Sequence, residues 1–474
     1  MFSSFLKMRT SKLQMSVSHL LMLAATGCTT TNTVQAVAPE PVQPASCNGT
    51  SGCITTIIGS GEAYLGDDDV VGWKSAIYFP QDGITGPDGK FYYIDWENHR
   101  IRAWDSKSGM TATVAGNSEL GDTGSGGPAL NAHMNHPGNL AFNAAGDLLI
   151  AAWHNSRVKS VDFKTGLLTN LYGDGNRAFA GDGGPAAKCK FDLPSSVASD
   201  SKGNIYVSDQ ANQRIRKIDP ATGNVSTVVG DNWVSDDGTK AGKPKMEGDF
   251  YVECRPVVDA TGALIGHMKI ADKDGDAIKL DVDGKTWVKK LTAGAPTKVP
   301  LPTPDLCGSF AGEGTDALHA HLWSQATQAA TITGRIFIDK KDQMYIADTM
   351  NQRIRKVDLA VTPNIITTVA GNGTLGFSGD GGDALAAQLD TPVDVDVMAD
   401  GTVLVAEFGN SCIRAIKDGK ISTFAGQCKV SGFEGDGGDK LKAKFNRPYG
   451  VSVAPDGNIF VMDTHNHRVR LISK

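Results

Sequence analysis

The sequence predicts an all-β protein, a six-bladed β-propeller closed by its N-terminal strand, and three observations carry that prediction. A string Asp-x-x-Asn-x-Arg-apolar-Arg recurs along the chain, it recurs at a nearly constant step, and the strand absent after the last copy stands at the other end of the sequence. The string reads Asp209-Gln-Ala-Asn212-Gln-Arg214-Ile-Arg216 and Asp348-Thr-Met-Asn351-Gln-Arg353-Ile-Arg355. Variants begin at Asp95 and Asp463, and two looser copies carry Asn155 and Asn410. From Asn98 to Asn155 is 57 residues, and from Asn155 to Asn212 again 57; the later steps are 139, 59 and 56. A period of this size marks stacked supersecondary units.

One unit is legible in the last copy. Pro448–Val453 opens a strand, Asp456-Gly457 is a turn pair, Asn458–Met462 is a second strand, and Arg468–Ile472 alternates polar and apolar as a third. Elsewhere a fourth follows, as in Ile421–Ala425 or Ile366–Ala370. A sheet of four short antiparallel strands cannot bury both faces alone, so the units must pack on one another, and radial closure does this.

The last copy stops at Lys474, after its third strand. Ile54-Thr-Thr-Ile-Ile58-Gly59 matches Ile366-Thr-Thr-Val-Ala370-Gly371 nearly position for position, so residues 54–58 should pair with 468–472 and latch the ring. The long step has its own cause. Gly173 to Gly181 spans 8 residues, whereas the equivalent Gly230 to Gly312 spans 82, and 8 further residues lie between Leu322 and Thr333. Residues 231–307 are therefore an insertion from blade three. Its alternation over His267–Ile270, Ala277–Asp281 and Lys285–Val288 predicts a small β excursion.

On these residues, together with the loop string Gly181-Asp-Gly-Gly184, Gly379-Asp-Gly-Gly382 and Gly435-Asp-Gly-Gly438, the chain resembles the NHL-repeat family over roughly residues 53–230 and 308–474. The resemblance implies the propeller. Its members include RNA binders, interaction scaffolds, a peptide-amidating lyase and surface receptors, so it leaves function open. Residues 1–28 have the form of a signal peptide, with Lys7, Arg9 and Lys12 before the apolar Leu20–Ala25. Ala25-Thr-Gly-Cys28 resembles a bacterial lipobox, which implies lipidation at Cys28, and Thr29 after it implies outer-membrane sorting. Residues 29–52, rich in Thr, Pro, Ala and Ser, read as a flexible tether before the propeller of 53–474. The expected location is thus a bacterial outer membrane lipoprotein, touching the membrane only through its anchor.

Export makes the eight cysteines meaningful. Cys47 and Cys53 are close in sequence, Cys412 and Cys428 flank a hairpin turning at Asp418-Gly419, and Cys254 and Cys307 bracket the insertion; each pair is expected to be a disulfide. Cys189 aligns with Ala132, Ala320, Ala387 and Ala443, a column of small residues, and is expected to be a buried thiol. The net charge of −6 and pI near 5.9 provide no basic field for nucleic acid, and a monomer is expected.

Four features carry candidate chemistry. The repeated Asp and Arg are expected to pair across strands and between blades as structure. The Gly-Asp-Gly-Gly loops are expected to be structural turns. Asp272, Asp274, Asp276 and Asp283 have the spacing of a calcium loop, but Ala277 stands where Gly is wanted and Asp283 where a bidentate Glu is wanted; a hairpin turn accounts for them more simply. The histidines are more informative. His99, His154, His465 and His467 fall in loops between second and third strands, and His133, His136, His319 and His321 in loops that lead into the next blade. Both loop types share one rim. Trp96, Trp153 and Phe408 share the column just after the repeated Asp, where other blades have Gln210, Thr349 and Thr464. Trp96, His99, His133, His136, Trp153, His154, His465 and His467 are therefore the expected ligand-binding residues, with the two tryptophans offering exposed aromatic faces.

The expected function is a binding module for a peptide, glycan or protein partner through this loop face, with no certain cofactor. The alternative is a metal-dependent lyase or hydrolase in the same rim. The family resemblance implies zinc for it, though the lyase's ligands have no residue-by-residue match in this chain.

Overall fold

The computed structural model describes residues 41–230, 313–324 and 332–474, together with the strand backbone at 250–258, 264–272, 279–280, 286–289 and 297–300. Cys28, Asp274, Asp276, Asp283 and the Cys254–Cys307 pair lie outside the described residues or have no described side chain, and Asp272 is described only as the last backbone position of a strand. The excursion predicted between 231 and 307 contains a two-stranded sheet, Phe250–Val258 with Leu264–Asp272, and a three-stranded sheet of Lys279–Leu280, Thr286–Lys289 and Thr297–Pro300.

The repeated units fold into six antiparallel sheets ordered by sequence from an inner to an outer strand. The inner strands are Pro80–Thr85, Pro137–Phe142, Pro194–Ser199, Ile336–Ile338, Pro392–Val397 and Gly450–Val453. Blade 6 closes as the sequence predicts. Cys53–Ile58 is its outer strand, with Ile54 opposite Ile472 and Thr56 opposite Arg470. Ile54 and Ile58 are buried there, so the latch is apolar as well as hydrogen-bonded.

Each blade also has a cover that the sequence did not reveal. Four outer strands pair with a two-residue strand from the loop that enters the blade, such as Gly127–Pro128 against Leu167–Leu168. The remaining two are met by the single bridges Pro185–Asn224 and Asp383–Lys420. Ladder groups that an outer strand would leave open are thus partly paired, which blunts edge-to-edge association.

The Gly-Asp-Gly-Gly loops are structural, as expected. Asp182 accepts the backbone N–H of Thr227 at 3.2 Å and its hydroxyl at 2.6 Å, while binding Arg216 at 2.5 Å. Asp68, Asp380 and Asp436 make comparable bonds to Thr113, Thr423 and Thr56 and pair with Arg102, Arg414 and Arg470. Gly181 has φ +97°, and a Cβ there would stand 2.8 Å from Cys189, so both the turn and the packing require glycine. Cys189 is buried, and burial pushes its thiol up to about 12, which makes it inert. Cys47–Cys53 and Cys412–Cys428 are disulfides.

One side chain ties the ring across its centre. Arg335, fully buried at the start of the blade 4 inner strand, donates to the carbonyls of Gln81 at 3.0 Å, Gly138 at 2.8 Å and Tyr449 at 3.0 Å, on blades 1, 2 and 6. It lies 3.8 Å from Asp82 and 3.7 Å from Asp394. Those carboxylates bridge inner strands in turn. Asp82 accepts the N–H of Leu140, Asp394 that of Val451, and Asn139 that of Val197 in the same way.

Candidate functional site

The loop face is built by the repeated string. The Asp carboxylate ends the second strand, stays buried, and accepts a backbone N–H from the loop entering its own blade. Asp95 does so from Tyr78, Asp209 from Asp192, Asp348 from Trp323 and Asp463 from Asn446. Three residues form one turn of 3-10 helix, and Asn in its last place donates back to the Asp, as Asn212 does to Asp209 at 2.9 Å. That Asn also donates to the preceding loop, Asn98 to Tyr64, Asn212 to Ala178 and Asn466 to Gly432, so the turn is welded to its neighbour.

The second Arg then completes the charge. Arg216 lies 3.3 Å from Asp209, Arg414 3.1 Å from Glu407 and Arg470 3.3 Å from Asp463, all buried. The repeated Asp and Arg are therefore structural pairs, as expected. Burial raises the Asp209 and Asp463 carboxyls to about 6 and Glu407 to about 7, while the arginines pull them back. Blade 2 explains its own exception. Ala152 removes the carboxylate, Asn155 takes over by accepting the N–H of Asn135 at 3.0 Å, and Lys159 replaces the second Arg and turns to Asp122.

The residue after the Asn is left-handed in every copy: His99, Ser156, Gln213, Gln352, Ser411 and His467 have φ between 51° and 55°. At five seams its side chain accepts a backbone N–H from the next blade. Gln213 accepts from Ser324 at 2.7 Å, Gln352 from Thr391 at 2.7 Å, and Ser411 from Arg447 at 3.2 Å. His99 Nδ1 accepts from His136 at 3.4 Å and His467 Nδ1 from Phe79 at 3.3 Å. These two histidines therefore hold seams.

Two aromatic clusters form on the rim. In the first, the His136 ring lies 4.5 Å from Trp96, 4.5 Å from His99 and 5.0 Å from His154, and His154 stacks on Trp153 at 4.0 Å. The Nδ1 atoms of His136 and His154 face each other at 3.1 Å, and His136 Nδ1 also lies 2.7 Å from Asn135 Oδ1. In the second, His465 and His467 each lie 4.9 Å from Phe79, with Phe408 5.8 Å from His465. Burial, then neighbouring charge, lowers His99, His154 and His465 to about 4, and burial and Arg468 lower His467, so these imidazoles are neutral at pH 7.

The remaining sequence-predicted residues separate. His133 pairs with Glu119 at 3.3 Å, away from the shared rings, and His321 is buried. Trp153 corrects the expectation of two exposed indoles. It is 1% exposed, packs in the central core, and gives its N–H to Gln210 at 3.2 Å. Its partner occupies the same column of the next blade, so the pair is structural. Trp96 keeps partial exposure, and its buried indole nitrogen has no acceptor. Among the described residues, no group of three or more His, Cys, Asp and Glu could hold a metal ion.

Sequence reasoning missed Phe79 and Arg447. Both precede a proline and hold φ near +50°, as do His136, Leu193 and Thr391; Arg447 is exposed and Phe79 partly exposed. A left-handed residue before proline is doubly disfavoured, and no local sequence signal announces it.

A buried Asp-Asn-Arg turn repeated in a closed ring of four-stranded sheets defines an NHL-type β-propeller. The NHL repeat model matches residues 191–218 and 445–470, which lie within blades 3 and 6, so the chain carries NHL repeats there. It is 25% identical over 377 residues to teneurin-1 of Gallus gallus, covering 52% of this chain and 9% of that protein. It is 24% identical over 347 residues to NHL repeat-containing protein 2 of Homo sapiens, covering 71% of this chain and 46% of that one. The chain thus spans under half the length of these relatives. Its fold is similar to that of an auxiliary nutrient binding protein from Bacteroides thetaiotaomicron, at TM-score 0.53 and 13% identity over 88% of this chain and 75% of that one.

Proposed function

We propose that this propeller is a binding module that engages a peptide, glycan or protein partner through its loop face. One observation carries the reading. In the column after the repeated Asp, Thr349 and Thr464 accept the N–H of Gly334 and Tyr449, and Gln210 accepts that of Thr333. Trp96 and Phe408 occupy the same column, cannot accept such a bond, and remain partly exposed beside the imidazoles of His136 and His465. The fold places hydrogen-bonding residues there for its own needs and turns Trp153 into the core, so the exposed parts of Trp96 and Phe408 are what is suited to contact. An exported protein anchored through Cys28 fits this role, and the two disulfides suit an oxidising compartment. The structural neighbour is described as a nutrient binding protein, which supports binding only as a general role.

Glycan and peptide arrays probed with the wild type, Trp96→Ala and Phe408→Ala, each checked for fold by circular dichroism, test the reading. Loss of the wild-type signal in folded variants supports it. Unchanged signal moves the contact surface off this rim.

A further inference from the structure

We propose that the rim sector of blades 5, 6 and 1 binds a carboxylate-bearing saccharide, with Arg447 holding the carboxylate and Phe408 and Phe79 forming a floor beneath the sugar ring. This rests on the reading of the loop face as a binding face and gives it a ligand class.

Arg447 is the first observation. Its left-handed backbone before Pro448 carries an exposed side chain over Phe408, with the guanidinium carbon 5.3 Å from the ring centre. The second arginines of the repeats each have a carboxylate, and Arg177 on the same face is bound to Asp192. Arg447 has no carboxylate partner among the described residues. An exposed planar cation above an aromatic face is suited to a bidentate carboxylate.

The surroundings supply the rest of a sugar site. His465 lies between Phe79 at 4.9 Å and Phe408 at 5.8 Å. Burial and Arg447 keep its imidazole neutral, so it can donate to one hydroxyl or accept from one. Phe79 and Trp96 extend from the paired strand ends Pro80 and Asp95, and both keep partial exposure.

The fold also disfavours a main-chain partner. An extended peptide that binds as an added strand needs a free sheet edge. Here the outer strands are met by short strands or bridges from the entering loops, and Arg335 crosses the inner strands at the centre. This partial cover favours recognition through side chains. Aromatic faces, the Arg447 cation and neutral hydrogen-bonding groups match a hydroxylated ring that carries an acid.

The test is calorimetric titration of the purified full chain with four probes: trigalacturonic acid, its methyl ester, neutral galactotriose and triglutamate. The acid should bind, and the ester and the neutral sugar should bind at least about tenfold more weakly. Arg447→Gln, an exposed change expected to fold, should lower affinity for the acid by at least about tenfold, and Arg447→Lys should retain part of it. Equal binding of acid and ester, an unaffected Arg447→Gln, no binding of the acid, or a preference for triglutamate overturns the proposal. If the acid fails while Trp96→Ala or Phe408→Ala still removes an array signal, the ligand class is wrong and the loop face stands. If neither variant alters any signal, the loop face itself is wrong.

Discussion

His467 Nδ1 accepts the backbone N–H of Phe79 at 3.3 Å across the seam where the last blade meets the first. His99 does the same for His136 at the next seam. An imidazole can accept there only while neutral, whereas Gln213 and Gln352 do this work in other blades with an oxygen that never titrates in the working range.

A pH prediction follows from that difference. The folded pKa of His99 is lowered to about 4 and that of His467 is lowered, so the unfolded chain binds protons first as pH falls. Stability from these seams is complete above the ordinary histidine value of about 6.5 and is lost as pH falls through that value toward the folded one. The double variant His99→Gln with His467→Gln should match the wild-type melting temperature at pH 7.5 and exceed it at pH 5. A constant difference at both pH values would show that the imidazoles do not act as seam acceptors.

Arg335 gives a second prediction. Replacing it with Met leaves Asp82 and Asp394 buried without their cation, which should cost about 3–5 kcal/mol in chemical denaturation. Adding Asp82→Asn and Asp394→Asn should recover part of that loss, because Asn139 already bridges inner strands as an amide in blade 2. A loss unchanged by the two amides would mean that the carbonyl bonds of Arg335, not its charge, hold the ring.

The ring was legible because its signals are local and repeated. Asp, Asn and Arg lie within eight residues, and Ile54–Ile58 matches an internal strand closely enough to place the closure. The exceptions at Ala152 and Lys159 were visible as substitutions, but Asn155 taking over the lost carboxylate's bond was not, since its partner lies 20 residues away. The rim was legible in part. The repeat placed His99, His136 and His154 on one face, and they touch. Trp153 was misjudged because Gln210, which buries its N–H, lies on another blade. Phe79 and Arg447 were missed because a left-handed residue before proline is imposed by ring packing rather than by its own sequence. Arg335 stands outside the repeated string, so periodicity could not mark it.

The Cys412–Cys428 disulfide closes a loop with a sequence separation of 16 residues. In the chain-entropy model such a bridge stabilises by about 3 kcal/mol. Cys412→Ala with Cys428→Ala should lower stability by about that amount, and peptide mapping of the wild type without reductant should recover the two cysteines linked, with Cys189 free. Equal stability of the wild type and the double variant would show that the ladder of the hairpin alone fixes this edge.

Closure of the ring is the most demanding prediction, because it joins the two ends of the sequence. Ile54 pairs with Ile472 and Thr56 with Arg470, and Thr56 also bonds Asp436 in the loop that covers the same sheet. Deleting residues 1–60 removes the outer strand of blade 6, strips the cover from Arg468–Ile472, and uncovers the core that Ile54 and Ile58 fill. Two large buried apolar side chains contribute about 1.5–3 kcal/mol each, and the exposed edge would invite pairing with another chain. The truncated protein should aggregate or melt far below a chain beginning at Pro41. Adding a peptide of residues 50–60 in trans should raise its melting temperature with the logarithm of peptide concentration, since only the folded ring offers the vacant edge. A truncated chain as stable as the longer one, with no response to the peptide, would refute closure by the N-terminal strand.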